Sequence, residues 1–126
     1  MNIMSNNVES AAEGASSAVG SGVARLTDEE ALDAFVSDAD VALVEFYTDG
    51  CGICRSMEPV VSNVARELDV AVGTINPRDD PPLIDRFDVR SVPLFVLFVD
   101  GDPIARRADG FIGGDDLTSW IVEHSE

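Results

Sequence analysis

The only two cysteines of the 126-residue chain are Cys51 and Cys54, and Gly52 and Ile53 separate them. A disulfide between residues this close closes a very small loop, so it stabilises a fold only weakly. A structural zinc site takes four ligands, and beyond this pair the chain offers a single histidine, His124. The spacing therefore favours thiol–disulfide chemistry, with a zinc-binding or purely structural pair as the alternatives.

The residues on either side of the pair predict a buried strand followed by a helix. Residues 41–47 form a nearly continuous apolar run, which is typical of a strand covered on both faces. After the motif, apolar residues recur at spacings of three and four, which predicts a helix over 52–68, kinked by Pro59. Cys51 then lies at a helix N-terminus, where unpaired N–H groups and a partial positive charge favour the nucleophilic thiolate. Cys54, one turn later, is expected to point back into the protein.

Glu45 is the one carboxylate inside the apolar run before the motif. Burial there is expected to raise its pKa, since a low-dielectric environment disfavours the charged form. We predict that Glu45 accepts the proton of Cys54 when that thiol must react. The alternative is a partly solvated, structural glutamate.

The remaining patterns predict an α/β domain. Strands are expected over 23–26, 41–47, 70–75, 94–99 and 104–108, and helices after Thr27 and over 52–68, 83–87 and 115–123. Thr27 is the predicted cap of the first helix, with Glu30 as its capping-box partner. Asp100 and Gly101 predict a tight hairpin. The order β-α-β-α-β-α-β-β-α predicts a mixed sheet with helices on both faces.

Composition separates residues 1–22 from residues 23–126. The first segment is rich in Ser, Ala, Gly and Asn, so we predict a flexible N-terminal tail before a single domain. The chain has neither the pattern of a secretory signal nor a run of about 20 apolar residues. We therefore expect a cytoplasmic protein.

The formal net charge is −16, and all eight basic residues are arginines. Such a charge disfavours nucleic acid and anionic membranes as partners. Acidity together with the absence of lysine favours a protein from a salt-loaded cytoplasm, as in halophilic archaea, over an ordinary acidic surface.

Residues 23–123 resemble the thioredoxin family at several independent positions. Cys51 and Cys54 match its redox motif, and Pro59 matches its helix proline. Glu45 stands where the family carries a buried Asp. Further matches are the cis-proline segment and two glycines: Ser91-Val92-Pro93, Gly101, Gly110.

The resemblance implies the thioredoxin fold and a protein-disulfide oxidoreductase. It implies Cys51 as nucleophile, Cys54 as resolving thiol and Glu45 as proton acceptor. It also implies a cis Val92–Pro93 bond and a substrate-binding surface built from five residues: Gly50, Gly52, Ile53, Val92, Pro93. Implied partners are disulfide-containing proteins and a thioredoxin reductase. Nothing in the sequence calls for a bound cofactor or a metal, and we expect a monomer.

Three departures from the family pattern affect substrate docking and redox potential. Gly50 replaces the usual Trp, Ile53 the usual Pro, and Thr74 the usual lysine near the buried carboxylate. The alternative functions are an adaptor or chaperone-like module of the same fold and an isomerase or glutaredoxin-like enzyme.

Overall fold

The computed structural model describes residues 17–19 and 22–125. One sheet holds six strands: β1 (Ser17–Val19), β2 (Val23–Leu26), β3 (Val41–Phe46), β4 (Ala71–Ile75), β5 (Leu94–Val99) and β6 (Asp102–Arg107). The helices are α1 (Glu29–Ser37), α2 (Gly52–Ser56), α3 (Glu58–Glu67), α4 (Pro82–Arg86) and α5 (Gly114–Ser125), with a 3-10 turn at Pro77–Asp79. The strand order is β1-β2-β4-β3-β5-β6. Strands β2, β4 and β3 are parallel, and the other neighbours are antiparallel. The predicted mixed α/β sheet is confirmed.

Strand β3 lies inside the sheet and divides two apolar layers, since successive side chains of a strand point to opposite faces. Val44 and Phe46 pack in the layer that contains α1 and α4. Leu43 packs in the opposite layer, against α3 and α5. Glu45 follows Leu43 by two residues, so the carboxylate lies on the face covered by α3.

The first helix begins one residue later than predicted. Asp28, not Thr27, is the cap, and its carboxylate accepts a hydrogen bond of 2.7 Å from the amide of Ala31. The predicted capping box from Thr27 to Glu30 is therefore wrong. An ionised carboxylate is a stronger acceptor than a hydroxyl, which favours Asp28 at this position.

The predicted kinked helix over 52–68 is two helices that meet at Met57. Pro59 lies in the first turn of α3, where a missing N–H leaves no helical hydrogen bond unmade. Met57 is fully buried, and its Sδ accepts a hydrogen bond of 3.4 Å from the amide of Ile112. The chain therefore breaks at a fixed point directly after the motif.

Two further features are the hairpin between β5 and β6 and the strand β1 near the N-terminus. Asp100 and Gly101 both have positive φ, as a tight hairpin between β5 and β6 requires, so that prediction is confirmed. Strand β1 lies within the segment assigned to the tail and was not predicted. Residues 1–16 and 20–21 of that segment lie outside the described residues, and the division at residue 22 stays a prediction.

Candidate functional site

Cys51 and Cys54 lie in the turn between β3 and α2 and form a disulfide, with their Cα atoms 5.3 Å apart. Cys51 is the residue that caps α2, and its Sγ accepts a hydrogen bond of 3.1 Å from the amide of Cys54. An amide donor at this sulfur stabilises negative charge there once the disulfide is reduced. Cys51 is half-buried, whereas Cys54 is only 5% exposed. Cys51 is therefore the more accessible residue of the pair.

Gly50 and Ile53 shape the surface next to this disulfide. Gly50 has φ +83°, a left-handed conformation in which any side chain is strained. Glycine adopts this conformation without strain. Ile53 is 49% exposed and presents an apolar surface beside the sulfurs, and Gly52 is exposed as well.

Glu45 lies on β3 with only 2% of its surface exposed. Its Oε2 is buried and has no hydrogen-bond partner among the described residues. Burial, and after it the negative charge of Glu58, raises the pKa of Glu45 from 4.5 to about 8. The side chain is therefore largely protonated at neutral pH, yet it titrates close to the range in which thiols do.

An open cleft of about 550 Å³ joins Glu45 to the disulfide. Its wall includes both cysteines, Thr74 of β4, Arg25 of β2 and Glu58 of α3. Thr74 pairs with Glu45 in the sheet, and Arg25 pairs with Thr74, so these three residues form one row across three strands. The cleft connects the buried carboxylate, the less exposed sulfur and solvent.

Val92 and Pro93 lie at the same end of the sheet as the motif. Leu94, which follows Pro93, pairs with Phe46 at the end of β3 from which the chain runs into the motif. The Val92–Pro93 bond is cis, as the resemblance implied. Pro93 is buried and Val92 half-buried.

The cleft is lined by four charged residues that the sequence analysis did not assign to it: Arg25, Asp49, Arg55 and Glu58. Glu58 follows Cys54 by four residues, and in the single helix predicted over 52–68 that spacing would place both side chains on one face, so the sequence carried a signal for it. Arg25 reaches the cleft only through the pairing of β2 with β4, which no local pattern shows.

Within residues 17–19 and 22–125, no group of three or more His, Cys, Asp or Glu side chains is arranged to hold a metal ion. His124 lies on α5, where its Nδ1 is 2.9 Å from the carbonyl oxygen of Trp120. None of the described helices is long and apolar enough to cross a membrane.

Comparison with known proteins places these features in one family. The thioredoxin family matches residues 22–123. Thioredoxin from Chlamydia pneumoniae is 32% identical over 102 residues, which cover 80% of this chain and 98% of the relative. The protein disulfide-isomerase A6 homolog of Caenorhabditis elegans is 30% identical over 85% of this chain, but the match spans only 25% of that protein. Among solved structures, a point mutant of thioredoxin from Halobacterium salinarum NRC-1 aligns with a TM-score of 0.79 and 34% identity, covering 87% of this chain and 96% of that one.

Proposed function

Because this chain belongs to the thioredoxin family and is a protein-disulfide oxidoreductase, we propose specific roles for the residues of its cleft. Cys51 is the nucleophile, Cys54 the resolving thiol and Glu45 the proton acceptor. The observation that carries the assignment is the disulfide itself, with one half-exposed sulfur at a helix N-terminus and one buried sulfur that shares a cleft with a buried carboxylate.

The reaction begins with the reduced protein. The Cys51 thiolate attacks one sulfur of a substrate disulfide, and the other substrate sulfur leaves as a thiolate that takes a proton from water. Cys54 then loses its proton to Glu45 and attacks Sγ of Cys51. This step releases the second substrate thiolate and leaves the Cys51–Cys54 disulfide that the structure describes. Two electrons have passed from the protein to the substrate, and a reductase must return them.

The surface around Cys51 supports the binding of an extended substrate chain. Ile53 offers an exposed apolar contact beside the sulfur. Gly50 and Gly52 carry no side chains that would block an approaching backbone. Val92 and Pro93 precede β5 at the same end of the sheet, and we propose that the backbone there pairs with the substrate as an added strand.

The insulin reduction assay with dithiothreitol tests the proposed chemistry. We expect Cys51→Ser to abolish the protein's contribution, because no nucleophile remains. We expect Cys54→Ser to retain covalent substrate on Cys51, since the mixed disulfide can no longer be resolved. Ser56→Ala, an exposed position on the same helix, is the matched control and should leave the rate unchanged. Failure of Cys54→Ser to hold any substrate would contradict the assigned roles, and so would full activity of Cys51→Ser.

A disulfide isomerase is the second candidate, supported by the similarity to one segment of a protein disulfide-isomerase homolog. The redox potential separates the two, since thioredoxin-type reductants lie near about −270 mV and isomerases near about −180 mV. We expect the lower value. A potential near that of isomerases would contradict the reducing direction.

The cellular environment, the oligomeric state and the electron donor of the protein are also proposals. Similarity to a halobacterial thioredoxin and the net charge of −16 support a halophilic, cytoplasmic origin. We further propose that the protein acts as a monomer and receives its electrons from a thioredoxin reductase. We propose that any tail ahead of the domain is shorter than residues 1–22, because Ser17–Val19 pair with β2 in the sheet.

A further inference from the structure

Glu58 occupies the cleft together with Glu45 and Cys54, although the reaction described above gives it no role. Its side chain is exposed, whereas that of Glu45 is 2% exposed. The two carboxylates therefore line the same cleft, Glu58 at its surface and Glu45 in its interior. Glu45 has a buried Oε2 that no described residue binds, so its protonation depends first on its burial and then on the charges around the cleft.

The break between α2 and α3 holds Glu58 in this place. Met57 is buried and bound by the amide of Ile112, and Glu58 is the next residue. Because α3 starts at Glu58, directly after a buried residue, the backbone of Glu58 is anchored to the core beside the cleft.

The other charged or titratable groups that line the cleft act differently. Arg25 is separated from Glu45 by Thr74 in the sheet. Burial raises the pKa of Tyr47, and the positive charge of Arg25 opposes that rise. Two more charged residues, Asp49 and Arg55, line the cleft on either side of Cys51. The residues that pair with Glu45 in the sheet, Thr74 on β4 and Phe95 on β5, carry no charge.

We propose that Glu58 is a positioning residue for the resolving step, and that its charge at the cleft controls when the buried Glu45 accepts the proton of Cys54. The inference rests on the proposed function, because it takes Glu45 as the proton acceptor. An ionised Glu58 repels the second negative charge, so it keeps the proton on Glu45 to higher pH. At neutral pH only a minor fraction of Glu45 is then free to accept a proton.

The direct test is the titration of the Glu45 carboxyl carbon by NMR in the oxidised, isotope-labelled protein, with Glu45→Gln used to assign the signal. We expect Glu58→Gln to move the midpoint of this titration to lower pH. Glu58→Asp, which keeps the charge, should leave the midpoint nearer to that of the wild type. Glu67→Gln is the matched control, because Glu67 is an exposed glutamate of the same helix and does not line the cleft.

The second test is the rate at which a pre-formed mixed disulfide with a model peptide is resolved in a single turnover. We expect Glu58→Gln to raise this rate about twofold at pH 7, since more of Glu45 is ionised once a neighbouring charge is removed. The rate of the first attack by Cys51 should remain unchanged.

An unchanged Glu45 midpoint in Glu58→Gln would overturn the proposal, and so would an equal shift in Glu67→Gln, which would indicate only a general effect of net charge. Neither result would affect the assignment of Cys51 and Cys54, because substrate trapping by Cys54→Ser does not depend on Glu58. The proposed function and this inference can therefore be refuted independently of each other.

Discussion

Replacing Glu45 with leucine is expected to stabilise the oxidised protein at neutral pH, although it removes the proposed proton acceptor. Burial, followed by the charge of Glu58, raises the pKa of Glu45 from 4.5 to about 8 in the folded protein. Between these two values the folded state binds more protons than the unfolded state, so stability is lost as the pH rises through this window. Leucine has no charge to bury and avoids that loss.

The size of the effect follows from the pKa difference. Each pH unit within the window removes about 1.4 kcal/mol of stability from the wild type. At pH 7 the loss attributable to Glu45 is about 3 kcal/mol, and above pH 8 it approaches about 5 kcal/mol. The free energy of unfolding of the leucine variant should therefore exceed that of the wild type by an amount that increases as the pH is raised.

The assay is urea unfolding of the oxidised protein from about pH 5.5 to about pH 9 at one high KCl concentration. The fluorescence of Trp120, the only tryptophan, reports unfolding. Glu67→Gln is the control, because it removes one exposed negative charge. A stability difference between Glu45→Leu and the wild type that stays constant with pH would refute the reasoning. A leucine variant that is less stable than the wild type at pH 9 would refute it too.

Three further predictions concern the fold. Asp28→Ala should lower the free energy of unfolding by about 1 kcal/mol, because the amide of Ala31 loses its capping acceptor; equal urea midpoints for variant and wild type would contradict this. Leu117→Ala should cost about 3 kcal/mol by leaving a cavity between α5 and the sheet, whereas Val122→Ala, 41% exposed, should cost far less. Raising KCl from about 0.1 M to about 2 M should stabilise the wild type by screening its net charge of −16, and a flat salt dependence of thermal unfolding would contradict that.

Periodicity and turn chemistry were sufficient to predict most of the fold. The continuous apolar runs over 41–47 and 94–99 correspond to β3 and β5, and Asp100 with Gly101 forms the expected hairpin. Apart from strand β1, which was not predicted, the errors lie at helix ends, where several local solutions differ by about 1 kcal/mol. The sequence analysis placed the cap at Thr27, whereas the structure shows that the side chain of Asp28 reaches the amide of Ala31.

The site was predicted less completely than the fold. Cys51 and Cys54 are read directly from their spacing, and the burial of Glu45 follows from its apolar neighbours. Pro59 indicated an interruption of the helix, and the break lies two residues before it, at the buried Met57, because proline cannot donate to the carbonyl of Arg55 and its ring crowds that carbonyl. Arg25 enters the cleft through pairing between distant strands, which a local pattern does not encode.

The break at Met57 also bears on local opening of the structure. Helix α2 is five residues long, too short to be stable by itself, and it ends at a residue anchored in the core. We expect amide hydrogen exchange in α2 to proceed through a local opening that stops at Met57, while α3 exchanges only with larger unfolding events. Cys51 and Cys54 would then belong to a cooperative unit of their own. The segment that makes and breaks a covalent bond in each cycle can rearrange without loosening the packing beneath it.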